Sequence, residues 1–175
     1  MLKKIMVLAT PVVFLGLLHA QSTLRPSAAQ RLEGSWSFTI VTDGPPGAPP
    51  TSNYALANFS SDGLVTAVAN PAAQPIPPVQ NLGNQISGGL GEWIRIGDKQ
   101  FRFTQMQLIF KNGVPGGFQR TRVTLTLNDT LDSATGTAIA EFFDLGGTSV
   151  FVSGSAAVTG NRVGVDASPA PPGSN

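Results

Sequence analysis

The feature that most restricts the fold of this chain is the alternation of strand and turn patterns that begins near residue 34. Between Trp36 and Ile40, apolar side chains alternate with hydroxyl side chains, which is typical of a half-buried strand. Similar strand patterns recur up to Val158, and no segment after residue 20 shows the period of an amphipathic helix. The chain is therefore predicted to be all-β.

Short turn signals separate the strand segments. Ser61-Asp62-Gly63 predicts one hairpin turn, and Lys111-Asn112-Gly113 contains an Asn-Gly pair, the strongest short hairpin signal in the chain. Strands are expected at residues 36–40, 53–59, 64–69, 92–96, 101–110, 114–127, 134–143 and 148–158. About eight strands joined by hairpins avoid exposed edges by closing into an antiparallel up-and-down β-barrel. A sandwich of two sheets is the alternative.

Composition divides the chain into four parts. Lys3 and Lys4 precede an apolar run of 14 residues, which predicts a secretory signal peptide over residues 1–20. A membrane anchor is the alternative, but the run is shorter than the roughly 20 residues that span a bilayer. The other parts are expected to be a flexible lead-in, the barrel domain and a disordered tail rich in Pro, Gly and Ser, at residues 21–33, 34–166 and 167–175. The protein is therefore expected to be secreted or periplasmic.

Two proline-rich segments interrupt the strand pattern. Residues 43–50 are expected to form a loop, because proline cannot donate a hydrogen bond to a sheet. Residues 70–84 are too many for a hairpin and are expected to form a surface loop or lid. A disordered insertion without a role is the alternative for this second segment.

The charge and the residue types exclude many functions. Charged residues make up 12% of the chain, about half of the usual share, so no nucleic-acid partner is expected. The chain has no cysteine, and its one histidine, His19, lies in the predicted signal peptide. A mature chain without Cys or His cannot form a Ser-His-Asp triad or a histidine metal site. We expect no metal and no cofactor.

The motif Gly34-Ser35-Trp36 is similar to the G-x-W motif that opens the lipocalins and their calycin relatives. In that family the tryptophan closes one end of the barrel, and an arginine near the last strand packs across it. Arg162 resembles that arginine, so the resemblance implies that Trp36 and Arg162 close this barrel. The stretch from Gly34 to Arg162 also looks like small secreted bacterial lipocalin-like proteins and the allene oxide cyclase barrels. Lipocalins often carry disulfides and a C-terminal helix, so the lack of cysteine and of a predicted C-terminal helix favours the cyclase-like barrels or an unassigned relative over a true lipocalin.

Two sets of side chains are candidates for function. Glu141 lies between Ile139 and Phe143 on one face of its strand, and a carboxylate on an apolar face can have a raised pKa and serve as an acid or base. Pairing of Glu141 with an arginine is the alternative. Arg122 is expected to lie on an outward, solvated stripe. A ligand pocket is expected to be lined by Trp36, Phe38, Trp93, Phe101, Phe103, Gln105 and Phe143.

Two functions remain open from the sequence. One is a barrel that binds a small apolar molecule in its lumen. The other, implied by the resemblance, is a cofactor-independent cyclase or isomerase that holds its substrate in a reactive shape. An acid and a base in the lumen would favour the enzyme, whereas apolar and hydroxyl side chains would favour the binder, which ranks first. Membrane insertion after signal cleavage is not expected, because the 13 aromatic residues are weakly grouped; self-association is compatible with either function.

Overall fold

The computed structural model of the chain describes residues 32–43, 49–69 and 79–164. The predicted signal peptide, most of the lead-in, part of each proline-rich segment and the predicted tail lie outside these residues. The described residues contain ten strands: β1 (Gly34–Thr42), β2 (Thr51–Phe59), β3 (Leu64–Ala69), β4 (Gln85–Ile86), β5 (Gly89–Arg95), β6 (Gln100–Lys111), β7 (Val114–Leu127), β8 (Ser133–Asp144), β9 (Ser149–Val152) and β10 (Ala156–Arg162).

Eight of the described strands form a closed antiparallel barrel. Their order is β10-β1-β2-β3-β5-β6-β7-β8, and β8 pairs with β10 to complete the ring. Strands β4 and β9 pair with the protruding ends of β6 and β8. The predicted all-β class and up-and-down barrel are therefore confirmed, and the sandwich alternative is wrong. The architecture is consistent with a calycin-like fold.

The last predicted strand, residues 148–158, is in fact two strands. β9 pairs with the end of β8, whereas β10 pairs with the beginning of β8 and with β1. Between them the N–H of Ser153 donates to the carbonyl of Ala140 at 2.8 Å, and the Ser153 hydroxyl accepts from the N–H of Ala140 at 2.9 Å. β10 then continues to Arg162 instead of ending at Val158.

The described end of the predicted loop at residues 70–84 packs against the barrel. A 3-10 turn at Val79–Asn81 leads to Leu82, and the side chains of Val79 and Leu82 are both buried. The N–H of Asn84 donates to the carbonyl of Phe110 at 3.1 Å, after which the chain enters β4. This part of the predicted surface loop or lid is therefore packed, with its apolar side chains buried at the barrel end where β6 finishes.

Aromatic side chains fill one end of the barrel interior, which we call the closed end. It lies where β1 begins and β10 finishes, and its rings are those of Trp36, Phe38, Phe59, Trp93, Phe101 and Phe103. Neighbouring rings pack with centroids 5.3 to 6.3 Å apart, several of them edge to face. The indole N–H groups donate to the carbonyls of Leu32 and Ser60 at 2.9 and 3.0 Å, so both buried donors are satisfied.

Small residues on the opposing strands make room for these rings. Gly160 on β10 pairs with Phe38 on β1, and a Cβ at position 160 would lie 2.4 Å from a ring carbon of Phe38. A glycine is therefore required for the ring to occupy this position. Farther from the closed end, the wall is formed by alanines and by polar side chains from β2, β6 and β7.

Candidate functional site

The closed end brings together the two residues that the family resemblance singles out. Trp36 and Arg162 stand opposite each other in the pairing of β1 with β10, and the guanidinium carbon lies 4.6 Å from the centre of the indole ring. The guanidinium also donates to the carbonyls of Glu33 and Leu131, at 2.5 and 3.1 Å. Burial lowers the pKa of Arg162, but the group stays charged because an arginine pKa starts so high. This arrangement closes the barrel at one end.

A layer of polar side chains crosses the lumen beyond the aromatic rings, and we call it the amide layer. It consists of Asn53 on β2, Gln105 and Gln107 on β6, and Gln119 and Thr121 on β7. Gln105 pairs with Thr121, and Gln107 with Gln119, so these four side chains form two adjacent cross-strand rows. Gln105, Gln107 and Thr121 are less than a tenth exposed. The polar groups of this layer are therefore largely removed from solvent.

Two acceptor atoms of the amide layer lack a hydrogen bond. The amide N–H of Gln107 donates to the carbonyl of Ser87 at 3.0 Å, and that of Gln119 donates to the Thr121 hydroxyl at 2.8 Å. By contrast, the Oε1 atom of Gln105 and the Oδ1 atom of Asn53 are buried without a partner among the described residues. Each such atom costs about 1–3 kcal/mol in folding free energy unless a donor reaches it. The lumen therefore presents two acceptors that a bound molecule can satisfy.

A cavity of about 30 Å³ adjoins Gln105. Its walls are formed by the side chains of Phe38, Ile40, Ala55, Ala57, Ala67, Phe103, Gln105, Thr121, Val123 and Val158. A space of this size holds roughly one water molecule or a ligand group of similar size. Gly89 leaves room for the Gln105 side chain, because a Cβ at position 89 would lie 3.1 Å from the Oε1 atom of Gln105. The lining consists of apolar, amide and hydroxyl groups, and no carboxylate is among the described residues that form it.

The structure divides the residues predicted to line the pocket into three groups. Phe38, Phe103 and Gln105 line the cavity. The other inward residues, which are Trp36, Trp93 and Phe101, pack together at the closed end and do not reach the cavity. Phe143 differs from the prediction because it faces outward, where its ring stacks on Phe118 with centroids 4.9 Å apart. Its orientation follows from the pairing of β7 with β8, which directs Ala138 inward and places Phe143 on the opposite face of β8.

Glu141 also lies on the outer face of the barrel. It is directly opposite Arg120 in the pairing of β7 with β8, and it forms ion pairs with Arg120 at 2.5 Å and with Arg122 at 2.8 Å. The hydrogen bond from Arg120 lowers the pKa of Glu141 below the ordinary value of 4.5, and the charges of both arginines act in the same direction. The expectation of a raised pKa in an apolar lumen is therefore wrong. The alternative of arginine pairing is confirmed, as is the outward position of Arg122.

Strand alternation places Gln107 on the same face as Phe103 and Gln105, but the other three residues of the amide layer, Asn53, Gln119 and Thr121, were not recognised as candidates from the sequence. A usable signal was nevertheless present in β7. Because Arg122 was expected to face outward, strand alternation directs Thr121 inward, and Gln119 lies on the same face two residues earlier. Asn53 was not singled out, although it lies opposite Ile40 in the pairing of β1 with β2 and so shares the inward face with Ala55 and Ala57.

No protein-family model matches the chain, and a search of curated proteins finds no match. Among the described residues, no helix is both long enough and apolar enough to cross a membrane. The geometry of the barrel is therefore the basis on which a function can be argued.

Proposed function

We propose that this protein is a secreted or periplasmic binding protein that holds a small, mainly apolar molecule in the barrel lumen. The observation that carries the proposal is the pair of buried acceptors without partners, Gln105 Oε1 and Asn53 Oδ1. A bound molecule with a hydroxyl or N–H donor would satisfy one or both of them. Gln105 lines the small cavity, so its acceptor is the one that a bound group can reach there. A protein that retains an unsatisfied buried acceptor gives up stability, which a binding role would explain.

The lining of the cavity determines the ligand class. Its surface is largely apolar, with Ile40, Ala55 and Val158 among its walls, and no charged side chain is among the described residues that line it. A charged ligand would lose its hydration without gaining a partner of opposite charge. The proposed ligand is therefore neutral. The volume of about 30 Å³ limits the group held beside Gln105 to roughly the size of a hydroxyl or amine.

The same lining favours binding over catalysis. The one acid or base put forward for the cyclase or isomerase alternative is Glu141, and that carboxylate lies outside the lumen in a cluster with Arg120 and Arg122. An acid or base must be within hydrogen-bonding reach of the proton it transfers. The relation to lipocalin-like and allene oxide cyclase-like barrels is proposed on the barrel topology and the Trp36–Arg162 contact. It concerns the fold and carries no catalytic assignment.

Native mass spectrometry of protein purified from its native host tests the binding proposal. The wild-type protein should carry a co-purified small molecule. Gln105→Leu should lose it, because leucine removes the acceptor while keeping a similar volume. Gln100→Leu is the matched control, since Gln100 lies on the same strand but is exposed, and it should retain the molecule. Absence of a bound molecule from the wild-type protein, or its retention by Gln105→Leu, would contradict the proposal.

N-terminal sequencing of the exported protein tests the proposed localisation. Cleavage after Ala20 should give a mature chain that begins at Gln21. Recovery of the chain with Met1 intact from the exported fraction would contradict it.

A further inference from the structure

The outer surface of the barrel differs sharply between its two halves. The outward positions of β1, β7, β8 and β10 include many Ser and Thr residues, among them Ser37, Thr124, Thr137 and Thr159. The other half, on β2, β3, β5 and β6, exposes large apolar side chains. We call the largest continuous group the outer apolar band, and it consists of Tyr54, Leu56, Val68, Leu90, Met106 and Leu108.

Strand pairing makes this band continuous. Leu56 on β2 stands opposite Val68 on β3, and Leu90 on β5 stands opposite Met106 on β6. The six side chains are between 44% and 70% exposed. At about 100 Å² each, they present roughly 600 Å² of apolar surface, which is the upper end of what monomeric proteins expose. With Leu64, Ile94 and Val163 at the margin, the area reaches about 900 Å², which is comparable with the roughly 800 Å² that one partner contributes to a standard interface.

The same face contains a groove and a ridge. The groove has a volume of about 670 Å³, and its apolar walls include Leu56, Val68, Leu90 and Val163. Its floor includes the backbone of Gly88 and Gly89. Met106 and Leu108 project from the neighbouring strand β6, next to this floor. A groove beside a ridge on one face is suited to a twofold contact, in which each copy offers both elements to the other.

We propose that two copies of this chain associate through the outer apolar band about a twofold axis, with Met106 and Leu108 of each copy in the groove of the other. The eight-strand ring is closed, so this association occurs between side-chain faces and not between strand edges. The inference is independent of the lumenal site, because the band and the amide layer lie on opposite faces of the strands.

The charged side chains on the same half of the barrel favour a second copy of the chain, and not a lipid surface, as the partner of the outer apolar band. The outward charged side chains on β5 and β6 are Glu92 and Arg102, one acidic and one basic, and neither is ion-paired with another described residue. Two copies can therefore meet without placing like charges together. A surface that binds anionic lipid carries a cluster of about four or more Lys or Arg side chains. The strands of this half hold three basic residues, namely Arg102 beside the band, Arg95 in an ion pair with Asp98, and Lys111 at the end of β6.

Sedimentation equilibrium of the purified protein tests this proposal. The wild-type protein should be a dimer at micromolar concentration, and Leu90→Lys should raise the dimer dissociation constant at least about 100-fold by burying an unpaired charge. Met106→Lys should act in the same direction. Thr137→Lys is the matched control, because position 137 is exposed on β8 in the Ser/Thr-rich half, and its dissociation constant should match the wild type. Circular dichroism should show that all variants keep the β-barrel.

Several results would overturn the proposal. A wild-type protein that remains monomeric at about 100 μM would lack the affinity expected of this area. An unchanged dissociation constant in both Leu90→Lys and Met106→Lys would place the contact elsewhere, as would an equal effect of Thr137→Lys. A monomer that dimerises only after removal of residues 165–175 would mean that the chain's own C-terminal segment covers the band. Binding of the monomer to phospholipid vesicles, lost in Leu90→Lys, would assign the band to a membrane surface.

Discussion

Arg162 is a charged residue whose guanidinium is partly buried against the Trp36 ring. Its guanidinium stacks at 4.6 Å and donates to two backbone carbonyls, so its removal would lose ring packing and leave the carbonyls of Glu33 and Leu131 without this donor. We expect Arg162→Ala to lower the free energy of unfolding by about 1–3 kcal/mol. Denaturant unfolding followed by tryptophan fluorescence measures the change.

A suitable control for this experiment is Arg102→Ala. Arg102 lies on the outer face of β6 and is exposed, so its replacement should change the free energy of unfolding by less than about 0.5 kcal/mol. If Arg162→Ala changed stability no more than this control, Arg162 would not contribute to closure of the barrel.

Glu141 obtains its low pKa from neighbouring arginines, chiefly through the hydrogen bond from Arg120. Because the pKa is lower in the folded state, the interaction contributes its full stability above the unfolded pKa of about 4.3 and loses it as the pH falls through the folded pKa. Arg120→Gln should therefore raise the pKa of Glu141 toward its ordinary value. An NMR titration of the Glu141 carboxyl group measures both values.

Arg122→Gln provides the comparison for this titration. Arg122 bonds the same oxygen at a longer distance, 2.8 Å, and is more exposed than Arg120, so its replacement should raise the pKa of Glu141 less. An unchanged pKa in Arg120→Gln would show that the cross-strand pair does not hold the carboxylate in its charged form.

At the level of strands, the packing of β10 on β1 depends on the contact between Gly160 and Phe38. A methyl group at position 160 would overlap the Phe38 ring, so Gly160→Ala should lower the free energy of unfolding by about 1–3 kcal/mol through overpacking. Phe38→Leu in the same chain should recover part of this loss, because leucine leaves space for the methyl group. The double-mutant cycle should give a clear coupling energy, whereas strictly additive effects would contradict the contact.

Strand positions followed from the sequence more readily than strand faces did. The Asn-Gly pair at residues 112–113 correctly predicted the hairpin between β6 and β7. The face of β8 was ambiguous because apolar residues occupy both alternations near Glu141, namely Phe142 on one face and Ile139 and Phe143 on the other. Pairing with β7 resolves the ambiguity, and this pairing is tertiary information. The two-residue strand β4 was missed for the same reason.

For the molecule as a whole, frequent turns and the lack of a helical period were sufficient to predict a closed barrel. The sequence did not predict which part of the lumen is filled by aromatic rings and which part holds the cavity. That division depends on strand direction and on the register of strand pairing. Antiparallel pairing places the rings of Trp36, Phe59 and Phe101 at one end, although these residues lie far apart in the sequence. The same pairing gathers Gln105 and Thr121 into a polar layer next to a small cavity. The proposed binding site is thus a product of barrel closure.

A high-resolution crystal structure of the protein purified from its native host tests the proposed lumenal site most directly. We expect electron density for an organic molecule in the lumen, with a donor atom within about 3.2 Å of Gln105 Oε1 or Asn53 Oδ1. Only its donor group should occupy the cavity of about 30 Å³ beside Gln105. The same density should be absent from Gln105→Leu, with the barrel unchanged. Density for a single water molecule beside Gln105 in the wild-type protein, with no organic molecule in the lumen, would contradict the proposed binding site.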